Sequence, residues 1–252
     1  IELYTSSANQ GFVKAQFHLA ICYENGYKIE KDINKAIEFY TSGTNQNYDK
    51  AQLHLAICFE NGNGVEKDMN KAIELYTLSA DQGNAYAQFS LAICYEIGNG
   101  VKKDMNKAIE LYTLSANQGN ADSQNNLAIF YENGYGVEKD VKKAIELFTS
   151  SANKGNADAQ NNIANYYRDG VVVEKDINKA IELYTSSANK GNTDAQNSIA
   201  NYYRDGVVFE KNMNKAIELY TSSANQGNAN AQNNLAFCYQ NGNGVEKNMN
   251  KA

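Results

Sequence analysis

The dipeptide Lys-Ala recurs at residues 35, 71, 107, 143, 179, 215 and 251, a spacing of 36 residues that never slips. The segment around it is copied with it. DVKKAIELFTSSANKGN from Asp140 returns as DMNKAIELYTLSANQGN from Asp104 and as DINKAIELYTSSANKGN from Asp176. A fixed period of about 20–50 residues marks a repeat array. One such unit cannot bury a core alone, so neighbouring units must cover its apolar face and share one core along a stack.

The unit from Asp49 to Asp81 resolves into two helices. In DKAQLHLAICFENG, Ala51, Leu55, Ala56 and Phe59 fall at helical spacing and define helix A. Gly62 follows and is glycine in every copy (26, 62, 98, 134, 170, 206 and 242), as expected of a left-handed residue closing a helix. After a short loop, Asp68 is placed to cap helix B, and its counterparts are Asp32, Asp104, Asp140, Asp176, Asn212 and Asn248, all capping residues. Helix B is predicted from Met69 to Ala80, with Ala72, Ile73, Leu75, Tyr76 and Ala80 as its packed side and Gly83 as its terminator. The Gly83 position is glycine throughout except for Asn47, the other residue that tolerates left-handed backbone. The second loop glycine (64, 100, 136 and 244) is replaced by Lys28, Val172 and Val208, where altered loops are expected. Residues 1–252 thus read as a single solenoid of six complete A–B pairs. A helix-B remnant precedes them, and a helix A with the start of a B follows, as in a piece of a longer protein with bare ends open to end-to-end self-association.

The formal net charge is -6. No basic stripe grows along the chain, which argues against nucleic acid as a partner. No apolar run is long enough for membrane insertion, and no signal or transit pattern opens the chain. Cys22, Cys58, Cys94 and Cys238 share one repeat position. Equivalent positions of packed helices lie roughly 10 Å apart, beyond the ~7 Å between Cα atoms that a disulfide allows. Unpaired thiols, with no Asn-x-Ser/Thr sequon, favour a reducing, cytoplasmic location. His18 with Cys22 and His54 with Cys58 make i, i+4 pairs, but Ser90 stands beside Cys94 where a third pair would need histidine. No metal, cofactor or catalytic residue is therefore assigned, and only two histidines exist to activate the recurring Ser and Thr.

The pattern D-x-x-K-A-x-x-L-Y-x-x-S-A-x-x-G-x-x-x-A-x-x-x-L-A-x-x-Y-x-x-G-x-G-V closely resembles the Sel-one-like repeat, a relative of the tetratricopeptide repeat, over the whole chain. Leu75 and Leu111 stand where the family usually has Trp, and Ala56 where it usually has Gly. The resemblance implies an all-α, right-handed α–α superhelix that serves as a non-catalytic adaptor for a protein or peptide partner held in a concave groove.

By similarity to the tetratricopeptide arrangement, the groove is lined by the helix-A positions of Lys50, Leu53, Ile57 and Glu60. The Leu53 position reads Phe17, Leu53, Phe89, Asn125, Asn161, Asn197 and Asn233 along the chain. The Ile57 position reads Ile21, Ile57, Ile93, Ile129, Asn165, Asn201 and Phe237, and the Glu60 position changes from Glu to Arg at Arg168. The expected ligand surface is therefore apolar at one end (Phe17, Ile21, Leu53, Ile57, Phe89, Ile93). At the other it is amide-rich (Asn125, Asn161, Asn165, Asn197, Asn201, Asn233) and suited to a peptide backbone. These residues are expected to contribute little to the fold itself. Two alternatives are weaker: an RNA reader using paired asparagines such as 125/126 and 161/162, and a hydrolase of the cysteine-rich bacterial type, whose cysteine pairs are missing here.

Overall fold

The computed structural model describes residues 1–252, and they form fourteen helices and no strands. The helices group into two compact bodies, residues 1–123 and 124–252. The first holds α1 (Glu2–Asn9), α2 (Val13–Asn25), α3 (Ile33–Asn45), α4 (Asp49–Asn61), α5 (Met69–Asp81), α6 (Ala85–Ile97) and α7 (Met105–Asn117). Helix α8 (Ala121–Asn133) begins in the first body and runs into the second. The second continues with α9 (Val141–Asn153), α10 (Ala157–Asp169), α11 (Ile177–Asn189), α12 (Thr193–Asp205), α13 (Met213–Asn225) and α14 (Ala229–Asn241). From α2 onward even-numbered helices are A and odd-numbered ones B. Each spans 13 residues, about 20 Å of axis. Within each body a helix packs on its neighbours in sequence.

The caps set these boundaries. Asp32, Asp68, Asp104, Asp140, Asp176 and Asn212 each accept the backbone N–H of the lysine three residues on. That lysine also lies over an aromatic ring of the preceding helix A, as Lys107 does over Tyr95 with Nζ 5.0 Å from the centroid. The capping residue's own N–H donates back into helix A, Asp104 to the Tyr95 carbonyl at 2.9 Å, which fixes the loop length. Helix A has a second set of caps that the repeat pattern did not disclose: Asn84, Asn156, Asn192 and Asn228 each accept the N–H of the alanine three residues on.

Alanines let the helices meet closely. Ala36, Ala72, Ala108, Ala144, Ala180 and Ala216 of helix B are wholly buried, as are Ala20, Ala56, Ala92, Ala128, Ala164 and Ala200 of helix A. Against them stand Tyr40, Tyr76, Tyr112, Phe148, Tyr184 and Tyr220, also wholly buried. Truncating a ring so placed costs about 3–5 kcal/mol. Buried serines keep their hydroxyls satisfied: Ser79 donates to the Asp49 carbonyl and Ser187 to the Ala157 carbonyl, each tying the end of helix B to the start of helix A in the same pair.

The loops at Lys28, Val172 and Val208 are not altered as expected. Their φ angles are 54°, 67° and 68°, in the same left-handed region as Gly64 at 72° and Gly100 at 73°. The flanking caps and the back-bond into helix A leave the chain no other path, so strain replaces rearrangement. A β-branched residue there costs roughly 1–2 kcal/mol. Val172→Gly and Val208→Gly are each expected to raise stability by about 1 kcal/mol, partial relief remaining after glycine's greater chain entropy. Gly100→Val is expected to cost more than this, because its Cβ would stand 3.1 Å from that of Met69. Urea unfolding midpoints of the three variants check both signs.

Candidate functional site

Helix A supplies the expected ligand surface. Of the twelve residues assigned to it, Phe17, Leu53, Asn125 and Asn161 are buried at 5%, 8%, 5% and 8% exposure. Ile21, Ile57, Phe89, Ile93, Asn165, Asn197 and Asn201 are half-buried, and Asn233 is exposed. The expectation that these side chains contribute little to the fold fails for the buried four. The Phe17 ring meets Tyr40, Tyr48 and His54. Neighbouring units close over this row, so its members pack first and face solvent second.

The second row is governed by the buried tyrosines. Tyr40, Tyr76 and Tyr112 donate their hydroxyls to Glu24, Glu60 and Glu96 at 2.6, 2.5 and 2.6 Å. Burial, then the bond to Glu60, holds the Tyr76 hydroxyl far above the ordinary phenol range. Farther along, the glutamate position becomes arginine, and Tyr184 and Tyr220 turn instead to Asn165 Oδ1 and Asn201 Oδ1 at 2.5 and 2.6 Å. Two asparagines read as peptide ligands therefore satisfy buried hydroxyls. Between these two solutions lies Phe148, which has no hydroxyl. Glu132 is thus not claimed from its own unit and accepts from Tyr166 of α10 at 2.5 Å.

The Leu53-position asparagines form rungs with the unit that follows. Asn162 Nδ2 donates to Asn125 Oδ1 at 3.2 Å, and Asn234 Nδ2 donates to Asn197 Oδ1 at 2.9 Å, each across 37 residues. The same offset from Asn161 leads to Ser198, which carries no amide. Asn161 Oδ1 is accordingly buried without a hydrogen-bond partner.

A cavity of about 250 Å³ opens on the helix-A side, lined by Glu132 of α8 and by Asn162, Asn165, Tyr166 and Asp169 of α10, with Val171 at its edge. Residues 162, 165, 166 and 169 share one helical face. Asp169 accepts Nε and a terminal nitrogen of Arg168 at 2.7 and 2.8 Å. That hydrogen bond, with Arg168 and Lys175 adding electrostatic support, holds the Asp169 carboxyl below the usual range. Arg204 and Asp205 repeat the pair one unit on. A larger cavity of about 420 Å³ lies among α5, α6 and α7, lined by Leu91, Leu111 and Leu114 together with Asp81, Lys107 and Glu110.

The four thiols are free. Burial first, then a nearby glutamate, pushes Cys58 and Cys94 up to about 11. His54 Nδ1 lies 3.3 Å from the Tyr40 hydroxyl and 3.7 Å from Glu24, and His18 stacks on Tyr4. No helix is long and apolar enough to cross a membrane.

Sequence reasoning missed the buried glutamines. Gln88 Nε2 donates to the Ala80 carbonyl of the preceding helix B at 3.2 Å. Its Oε1 accepts from Gln118 beyond the following helix B at 2.8 Å. The signal was present: glutamine occupies 16, 52, 88, 124, 160, 196 and 232 without exception, always beside a small core residue.

Comparison with known proteins adds a family pattern. The Sel1 repeat matches residues 13–48, 49–84, 85–120, 121–156, 157–192, 193–228 and 229–252. The chain is similar to the crystal structure of a protective antigen present in uropathogenic Escherichia coli strains and displaying an SLR fold. The identity is 32% and the TM-score 0.77, over 100% of this chain and 54% of that one, so the chain spans about half the antigen's length. It is also similar to a Sel1 repeat protein from Oxalobacter formigenes, with 26% identity and a TM-score of 0.79, over 89% of this chain and 99% of that one. An immunity protein from Pseudomonas aeruginosa shares the fold at 20% identity and a TM-score of 0.54, over 87% of this chain and 82% of its own. No curated protein sequence matches the chain.

The interrupted rung at Asn161 is testable. Ser198→Asn restores the donor found at 162 and 234, and is expected to raise stability by about 0.5–1.5 kcal/mol, the net worth of one hydrogen bond. Chemical denaturation measures it, and an unchanged or lower midpoint would show that the rungs do not stabilise the stack.

Proposed function

The chain belongs to the Sel1 repeat family, whose members are in general protein-interaction scaffolds, and we propose that it is a non-catalytic scaffold that holds an extended peptide segment of a partner protein on its helix-A side. The observation that carries this reading is the cavity between α8 and α10. It sits on the side where side chains vary while the framework stays constant. In residues 1–123 that side presents half-buried Ile21, Ile57, Phe89 and Ile93, which offer apolar contact. In residues 124–252 it presents Asn165, Asn197 and Asn201. There the asparagines orient a ligand through the amide hydrogens left after their bonds to tyrosine and to one another.

Nucleophilic chemistry has little support. The Cys58 and Cys94 thiols are buried and pushed up to about 11, so they stay protonated near neutral pH. The buried serine hydroxyls at 79, 187 and 223 are committed to backbone carbonyls. RNA binding also fares poorly. Arg168 and Arg204, the two arginines of the helix-A side, are each paired with the adjacent aspartate, and the Lys50 position becomes Asp122, Asp158 and Asp194 along the chain, so no row of free cations faces a phosphate backbone.

The reading is checked by selecting binders from a displayed random-peptide library on the full chain and mapping the bound site by hydrogen exchange. Selected peptides are expected to slow exchange in α8, α10 and α12 and to raise the melting temperature. Protection confined to the helix-B side would overturn the assignment of the binding face.

A further inference from the structure

We infer that the α8–α10 cavity is a pocket for one arginine side chain, so that the partner segment is basic at this point. The inference rests on the helix-A reading above and adds the chemistry of the ligand.

Size comes first. A volume of about 250 Å³ falls below the roughly 300–1,000 Å³ of pockets for drug-sized ligands, and suits a single long side chain. Charge comes next. Asp169 is already neutralised by Arg168, whereas Glu132 forms no ion pair. Tyr166 occupies only its Oε1, so Oε2 remains to accept, and the cavity carries one uncompensated negative charge. The amides add direction. Asn162 spends a hydrogen on Asn125 and keeps its Oδ1 as an acceptor. The Tyr166 ring supplies an aromatic wall over which a cation is favourable. Carboxylate oxygen, amide oxygen and aromatic face together suit the planar guanidinium, with five donors in a fixed fork, better than the point charge of an ammonium.

The chain contains its own counterpart. One unit on, the Glu132 position is Arg168, close enough to Tyr202, the equivalent of Tyr166, that its charge partly offsets the burial that pushes the Tyr202 hydroxyl up. There the protein places a guanidinium of its own beside the tyrosine, next to the Asp169 carboxylate. At Glu132 the same place lacks its cation because the residue is glutamate. The site occurs once. Glu24, Glu60 and Glu96 also accept one tyrosine hydroxyl each, from their own unit, but the Tyr166 position of the unit that follows is Cys58, Cys94 and Phe130, so glutamate, asparagine and tyrosine come together only at Glu132, Asn162 and Tyr166.

The test is an NMR titration of the isotopically labelled full chain with Nα-acetyl-arginine amide, beside the isosteric neutral citrulline and the lysine compounds. Arginine is expected to shift the Asn162 and Asn165 side-chain amides and the Tyr166 ring saturably, lysine more weakly and citrulline not at all. Glu132→Gln keeps an acceptor for Tyr166 and is expected to weaken arginine about tenfold, the scale of one charge-assisted hydrogen bond. Phe148→Tyr serves as the second variant. It keeps the charge but gives Glu132 the hydroxyl that Tyr112 gives Glu96, and is expected to weaken arginine severalfold. Equal binding of citrulline, shifts spread over the acidic surface, or wild-type arginine affinity in the folded variants would each overturn the pocket. If library-selected peptides still protect α8, α10 and α12 in the Glu132→Gln chain with undiminished affinity, the scaffold reading stands and the arginine assignment falls.

Discussion

Two of the three left-handed residues in each unit, one closing helix A and one in the loop after it, fix the path from helix A to helix B, and the rest of the architecture depends on that path. The N-cap amide bonds back into helix A, as Asp104 does to Tyr95. Neither the length nor the direction of the loop can then drift. Because every unit repeats this closure, each helix-A side chain meets the same position of the next unit at a constant offset. The strength of the constraint shows at Val172 and Val208, which adopt positive φ despite their branched side chains. The backbone geometry survives a residue that opposes it, because the caps and back-bonds on either side together outweigh roughly 1–2 kcal/mol of local strain.

That constant offset turns side-chain chemistry into ladders. Gln88 joins the preceding helix B to the following one through opposite ends of a single amide. The buried tyrosine hydroxyls need a partner in every unit, and they find it on helix A as glutamate or as asparagine. A buried phenol left without an acceptor would cost about 1–3 kcal/mol. This explains why the glutamate-to-arginine change along helix A comes together with Asn165 and Asn201. What reads as a change in ligand preference is in part the replacement of one hydrogen-bond acceptor by another.

Much of the fold was legible in the sequence because periodicity, glycine placement and capping residues act locally. The exceptions to glycine were informative by themselves: Asn47 keeps its predicted left-handed conformation. The altered loops expected at Val172 were not found, since propensity at one residue carries no knowledge of the bonds that constrain it. The candidate site was less legible. Helical spacing places Phe17 and Asn161 on the helix-A row but cannot say that the next unit closes over them. The glutamines were visible as constants, yet polar residues inside a core-like pattern read as surface until their two partners are seen. The orphaned oxygen of Asn161 was recoverable in principle, since it follows from finding serine at 198 where the same offset brings asparagine at 162 and 234.

The cavity follows from the same logic applied to one missing atom. In an array of satisfied hydroxyls, the change from tyrosine to Phe148 removes a donor without disturbing the packing, for the ring stays wholly buried. The carboxylate that the donor would have held is then available to the next unit and to solvent. Glu132 reaches Tyr166 with one oxygen and leaves the other open beside the asparagines of α10. Duplication keeps the scaffold constant while point changes redistribute which polar groups are spent on folding and which remain for a ligand. A binding residue in such an array is therefore best sought where the internal partner has been lost, more than where the side chain itself has changed.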